Sequence, residues 1–160
     1  MEKFVASAAL GCVGAGGVIR GANGNWICGF AVNLGKGQIL EAELRGLYFG
    51  LHLACDKGIS NLLTEMDAAV VVSLVQQVGT LSCHPLAALV QSCCVLMRHI
   101  GNCHLAHVYR EMNVAADRMA NWSFNLDLRV SYLDEGPAWV SSSLENDFLG
   151  VVRPRLICTS

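Results

Sequence analysis

The sequence predicts an α/β domain built on a mixed five-stranded sheet, three antiparallel strands followed by two parallel ones, with helices on both faces. Two patterns predict it. The first third of the chain runs in short β-type stretches separated by glycine- and asparagine-rich turns, and beyond Gln38 apolar residues fall at helical spacing in segments that alternate with short strands. Length is the third observation, since 160 residues suffice for one core of the usual roughly 100–150-residue domain and not for two.

Lys3 to Ala9 reads as the opening strand. Gly16-Gly17-Val18-Ile19-Arg20 and Trp26 to Val32 follow, joined through a turn whose Asn23-Gly24 pair supplies the positive φ angles of a tight hairpin. Leu40, Leu44, Leu47, Leu51 and Ala54 then share one side of a helix that closes at Lys57-Gly58, and Gly46 and Gly50 would let that helix approach a sheet closely. Asn61 to Met66 reads as a short strand and Ala68 to Val78 as a helix. A loop through Pro85 leads to another helix ending near His99. His104 to Tyr109 is the last expected strand, and Asn113 is a suitable N-cap for a final helix to about Phe124. Hairpins followed by βα units give a mixed sheet. Residues 1–125 are read as the domain, and 126–160, broken at Gly136-Pro137 and Pro154, as a tail packed along it.

Charged residues make up 15% of the chain and the hydrophobic set 53%, against roughly 25% charged in ordinary soluble domains, which excludes a disordered chain. Eleven basic against thirteen acidic residues give a net charge of −2, the wrong sign for tight nonspecific attachment to a polyanion, so any nucleic-acid contact has to be local or metal-assisted. The eight cysteines contain no CxxC pair and sit mostly in apolar runs, as reduced thiols do in a reducing compartment. Cys103-His104-x-x-His107 with Cys83-His84 is too irregular in spacing for a zinc site. Phe4 to Ile19 is uncharged and imitates a signal-peptide core, but its glycines make a poor helix and Glu2 spoils the basic head. Ala68 to Met97 is also uncharged, yet Gly79 and Pro85 interrupt it, and two buried helices explain it better than one span. The expectation is an intracellular monomer, nuclear or cytoplasmic, neither secreted nor membrane-bound.

Three acids stand at element boundaries or on otherwise apolar helices. Glu43 lies one turn into the first helix, Asp67 follows Met66 at the C-terminal end of a strand, and Asp117 falls four residues after Asn113. Strand C-termini are where open α/β sheets gather ligands. Singly, each acid also has an ordinary reading: a Glu on a helix is commonly solvated, and an Asp near a helix start complements the dipole.

The ordered set Gly16-Gly17-Val18-Ile19-Arg20, Ala42-Glu43-Leu44, Glu65-Met66-Asp67 and Tyr109-Arg110-Glu111-x-Asn113-x-x-x-Asp117-x-x-Ala120-Asn121 is similar to the plant ribonuclease H type-1 domains of the ribonuclease H-like superfamily, often found in retroelement-derived proteins. The resemblance covers nearly the whole chain, and Asp147 to Leu156 resembles a tail that some members carry. It implies a ribonuclease H-like fold, endonucleolytic hydrolysis of the RNA strand of an RNA–DNA hybrid, and four acids around two Mg²⁺ ions, for which Mn²⁺ could substitute. By that resemblance Glu43, Asp67 and Asp117 are three of the catalytic, metal-holding acids, while Asn113 and Arg110 could contact the hybrid. Two hard cations about 3.5–4 Å apart need several carboxylate oxygens to hold them, and the 2′-hydroxyls in the minor groove would distinguish RNA from DNA.

The sequence departs from the family where the first strand should end in Asp-Gly. That Asp is the family's central ligand, yet Ser7 stands in its place and Ala8 in that of the glycine, and no acid lies between Glu2 and Glu41. A neutral hydroxyl is a poor Mg²⁺ ligand, and losing a bridging ligand should cost more than the roughly 10–100-fold typical of outer-shell changes. The expectation is therefore a ribonuclease of impaired rate. The alternative is a catalytically inactive nucleic-acid-binding or protein-interaction module. His107 reads as a sheet residue. Arg110 stays open between Glu111 and a phosphate, and Asn113 between a helix cap and a hybrid contact.

Overall fold

The strand β1 (Cys12–Arg20) is buried along all but its first residue, because strands flank both its edges and helices cover both its faces. The computed structural model describes residues 11–140 and the strand at 155–159. β1 pairs antiparallel with β2 (Trp26–Lys36) through the intervening turn. Within that turn Gly24 has φ of 79° and no non-glycine residue has positive φ. Asn23 thus keeps an ordinary backbone and the loop closes through Gly24 N–H to Gly21 O at 2.9 Å and Gly21 N–H to Asn25 O at 2.9 Å. This is a wider turn than the two-residue hairpin that the Asn-Gly pair suggested.

The chain continues through α1 (Ile39–Asp56), β3 (Asn61–Met66), α2 (Ala69–Gln76), a 3-10 turn at Val78–Thr80, α3 (Ala87–Ile100) and β4 (Asn102–His107). A second 3-10 turn at Arg110–Met112 leads into α4 (Val114–Ser123), followed by β5 (Val130–Leu133) and β6 (Arg155–Thr159). The strand order across the sheet is β4-β3-β6-β1-β2-β5. β3 runs parallel to both β4 and β6, whereas β1 runs antiparallel to β2 and β6, and β2 antiparallel to β5.

Leu44, Leu47, Leu51 and Ala54 of α1 are fully buried against the sheet, where each such leucine contributes about 1.5–3 kcal/mol. They join Ala15 and Ile19 of β1 and the inner sides of α2 and α3 in the larger core. Val18 points to the opposite face and meets Ala115 and Met119 of α4, with Val140 beside them. Alternation along β1 therefore divides the core, with α1, α2 and α3 on one face and α4 on the other.

The expected α/β architecture is present, and its described sheet has six strands rather than five. Val130–Leu133 and Arg155–Thr159, offered by the sequence only as part of a tail, both pair into the sheet. Segments of four or five residues are too short for periodicity to separate a strand from extended coil. The opening strand expected at Lys3 to Ala9 lies outside the described residues, as does Ser7. Among the described residues no helix is long and apolar enough to cross a membrane, and the uncharged stretch 68–97 is divided between α2 and α3.

Candidate functional site

Asp67 leaves the C-terminal end of β3 with its side chain only 12% exposed. β4 runs beside β3 with Met66 opposite His107, and Val108 N–H extends the pairing by donating to Met66 O at 3.0 Å. Two parallel strands that end together must deliver the residues after one alongside the residues after the other, and so Tyr109 and Arg110 arrive next to Asp67. The 3-10 turn then closes through Met112 N–H to Tyr109 O and Asn113 N–H to Arg110 O, both at 2.9 Å.

That turn brings two donors back onto one acid. Asn113 Nδ2 donates to Asp67 Oδ1 at 3.2 Å, and Arg110 Nε lies 4.0 Å from Asp67 Oδ2. α4 begins with Asp117 N–H bonded to Asn113 O at 3.1 Å, which sets Asp117 one turn into the helix. Arg110 Nη2 donates to Asp117 Oδ1 at 2.8 Å, and Asn121 Nδ2 lies 3.4 Å from Asp117 Oδ2. Arg110 thus joins the two aspartates, and its guanidinium is pushed above its ordinary range, first by the hydrogen bond to Asp117, then by the charges of Asp117, Asp67 and Glu43, against a desolvation cost. Glu43 stands on α1, on the other face of the sheet from α4, and acts on Arg110 through its charge.

Asn113 occupies the N-cap position by its backbone, but its φ of −123° and ψ of 27° are not those of a capping residue and its side chain makes no capping hydrogen bond. The expectation of a side-chain cap is corrected here. A charged carboxylate acceptor forms a stronger hydrogen bond than a neutral one, and Asp67 has drawn the amide away from the helix. Arg110, left between Glu111 and a phosphate on sequence grounds, turns instead to Asp117 and Asp67. The only signal for this was the common end point of two parallel strands, since the seven-residue spacing from Arg110 to Asp117 crosses a non-helical turn and obeys no helical pairing rule. His107 ends β4, and its ring meets that of Tyr109 edge-on with centroids 5.8 Å apart. Tyr109 is 72% exposed, an aromatic surface beside the acids that spacing alone did not reveal.

Carboxylate oxygens have the hardness that Mg²⁺ prefers, so the donor chemistry suits a divalent ion. The arrangement does not. Among the described residues no three His, Cys, Asp or Glu side chains gather into a group that could hold a metal, and a guanidinium stands between the two aspartates.

A family model described as reverse transcriptase-like matches residues 5–123. The chain belongs to that family. The match takes in β1 through α4, and with them Glu43, Asp67, Arg110, Asn113 and Asp117. Among curated proteins, one of Arabidopsis thaliana named as a ribonuclease H protein is 38% identical over 147 residues, which cover 92% of this chain and 24% of that protein. The chain therefore spans about a quarter of the length of the curated relative it matches. Among solved structures, ribonuclease H1 of the halophilic archaeon Halobacterium salinarum superposes with a TM-score of 0.65 at 20% identity, covering 73% of this chain and 89% of the archaeal one. That likeness shows the fold, which is ribonuclease H-like.

Proposed function

We propose that this member of the reverse transcriptase-like family binds RNA–DNA hybrids and hydrolyses their RNA strand at an impaired rate. The observation that carries the reading is the convergence of Asp67 and Asp117 on Arg110 at the ends of β3 and β4, next to the exposed ring of Tyr109. An exposed arginine and an aromatic face beside partly buried acids suit a phosphate backbone and an unstacked base. Glu43, Asp67 and Asp117 are the acids assigned to the reaction, and Arg110 and Asn113 the residues nearest the hybrid. The Ser7 that stands in place of the family's first acid is the reason for expecting slow cleavage with the family's divalent ions, Mg²⁺ or Mn²⁺, and among the described residues no group of three acids offers those ions a fitting set of ligands. The hybrid-binding unit extends past residue 125 in this reading, because β5 and β6 pair into the same sheet.

A catalytically inactive binding module is the second reading, favoured by the absence of a three-acid group among the described residues. Anisotropy with a labelled RNA–DNA hybrid, in Mg²⁺ and in chelator, combined with a cleavage assay, separates the two. Saturable binding in both media with slow cleavage that Asp67→Asn abolishes supports the impaired ribonuclease. Binding with no cleavage in Mg²⁺ or Mn²⁺ leaves the inactive module, and no binding in either medium sinks both.

A further inference from the structure

Directly beyond Asp117 on the same helix, an open cleft of about 280 Å³ is lined, among the described residues, by Arg118, Asn121, Trp122 and Trp139. Arg118, Asn121 and Trp122 fall at i, i+3 and i+4 on α4 and so share one side of it, next to the buried side formed by Ala115, Ala116, Met119 and Ala120. The opposite wall, Trp139, is held in place by its neighbour: Val140 N–H donates to Pro137 O at 2.9 Å, and Val140 is buried in the smaller core. Arg118 Nη1 ties the two walls by donating to Trp139 O at 3.1 Å, and the two indoles meet edge-on with centroids 6.3 Å apart. We propose that this cleft is a base-stacking subsite for an unpaired nucleotide of a single strand that runs off the end of the hybrid. The proposal rests on the hybrid-binding reading and adds where the unpaired strand goes.

The chemistry of the lining selects the occupant. An indole offers a π face on which any base stacks, a guanidinium is a planar cation suited to the adjoining phosphate, and a carboxamide has both a donor and an acceptor for a base edge. Half-buried Trp122 and Trp139 and exposed Arg118 and Asn121 bring all three into one place. At a net charge of −2 the chain cannot hold a polyanion by its overall field, and stacking beside a local cation is a contact that does not need one. The cleft is also smaller than the roughly 300–1,000 Å³ of ordinary small-molecule pockets, which suits one ring system laid in from an open strand. Trp122 follows Asp117 by five residues, about 7.5 Å along the helix axis and roughly two base steps of a strand. Asn121 Nδ2 lies 3.4 Å from Asp117 Oδ2, so the cleft is continuous with the acids and a strand passing them reaches the indoles within a few nucleotides. Paired bases are stacked on one another, and only an unpaired one can be splayed onto a side chain.

The test is anisotropy with the full chain, in chelator so that no strand is cut. The probe is a labelled RNA–DNA hybrid, either blunt or carrying a single-stranded extension of about four nucleotides placed in turn at each strand end. The path from Asp117 to the cleft has one direction, so one of these extensions should tighten binding by about tenfold, the scale of one base on an aromatic side chain. The same extension built of abasic nucleotides should bring the affinity back to within about twofold of the blunt hybrid, because it keeps the phosphates and loses the π faces. Quenching of the intrinsic tryptophan emission is a second readout, since Trp122 and Trp139 line the cleft. Arg118→Gln and Trp122→Leu should each remove most of the gain and leave the affinity for the blunt hybrid within about twofold. Thermal melts establish that each variant is folded, and Arg118→Gln, at an exposed side chain, decides the matter where Trp122→Leu does not fold. A gain below about twofold at every strand end overturns the proposal, and blunt-hybrid binding in the same experiment leaves the hybrid reading standing. A gain that survives abasic replacement, or that Arg118→Gln leaves untouched, overturns it as well. If no hybrid binds but the extension as a free single strand does, with quenching that Arg118→Gln abolishes, the base-stacking subsite stands and the hybrid reading falls. Binding of no nucleic acid overturns both.

Discussion

Asn113 Nδ2 reaches Asp67 Oδ1 at 3.2 Å across 46 residues of sequence, so the side chain of the residue that opens α4 is tied to the end of β3 and does not cap its own helix. Asn113 is fully buried, and removing its amide strips a donor from a carboxylate that is itself nearly buried. Asn113→Ala should cost about 1–3 kcal/mol in urea denaturation. Asn113→Ser separates the tie from a cap, since serine is a good N-cap but too short to keep the bond to Asp67. Stability close to that of the alanine variant is the expected result, and full retention would show that capping is what matters.

Gly16 presents the backbone of Met119 and Ala120 with no side chain, and a Cβ built there would fall onto those backbone atoms. β1 is held by strands on both edges and α4 by the smaller core, so neither can yield cheaply. Gly16→Ala should destabilise by about 1–3 kcal/mol, the usual cost of overpacking, or more. Gly79→Ala is the control, because a Cβ there meets nothing within 4 Å, and it should stay within about 0.5 kcal/mol of wild type. Thermal melts of the two variants check the contrast.

Among the elements from β1 to α4, the longer ones were the most legible, because their residues carry enough of a pattern to read. The heptad-like run from Leu44 to Ala54 and the continuous apolar β-type stretch of β2 are both long enough to be read locally. Asp67 was legible as a site residue because a strand end is recognisable locally. What the sequence hid was relational. The fate of the Asn113 side chain depends on Asp67 lying within reach, and that follows from the parallel register of β3 and β4, which no local window contains. The arrival of Arg110 between Asp67 and Asp117 has the same origin. β6 was hidden for a different reason: its partners are 92 or more residues away from it in sequence, as in Met66 opposite Cys158, and its own five residues carry no pattern long enough to be read.

β6 stands between β1 and β3, pairing Gly16–Arg20 on one side and Leu63–Met66 on the other. Ending the chain after Pro154 would uncover both those edges, and unpaired strand edges either associate or take up water. Hydrogen exchange should then show lost protection at the amides of β1 and β3 that face β6, and size exclusion should show association. Retained protection in a monomeric product would mean that β6 is not what completes the sheet.

Burial sets the chemistry of the thiols. Cys28 is pushed from 9.0 up to about 11, mainly by desolvation, with Lys57 opposing and Asp134 adding to the shift. Cys93 is pushed up to about 12, again chiefly by burial. At pH 8 a thiol at about 11 is ionised to roughly one part in a thousand, and only the thiolate reacts with iodoacetamide. Cys12 and Cys83 are exposed and should be alkylated first, with Cys28 and Cys93 modified only when urea is present, as read by peptide mass spectrometry. The same shifts fix the sign of an alkaline effect. A thiol whose folded-state value is raised contributes its full stability below 9.0 and loses it as pH climbs toward about 11 for Cys28 and about 12 for Cys93. Melting midpoints should therefore fall across that window, and the fall should be smaller in Cys93→Ala, which has one buried thiol fewer to ionise; an equal fall in both proteins would place the alkaline sensitivity elsewhere.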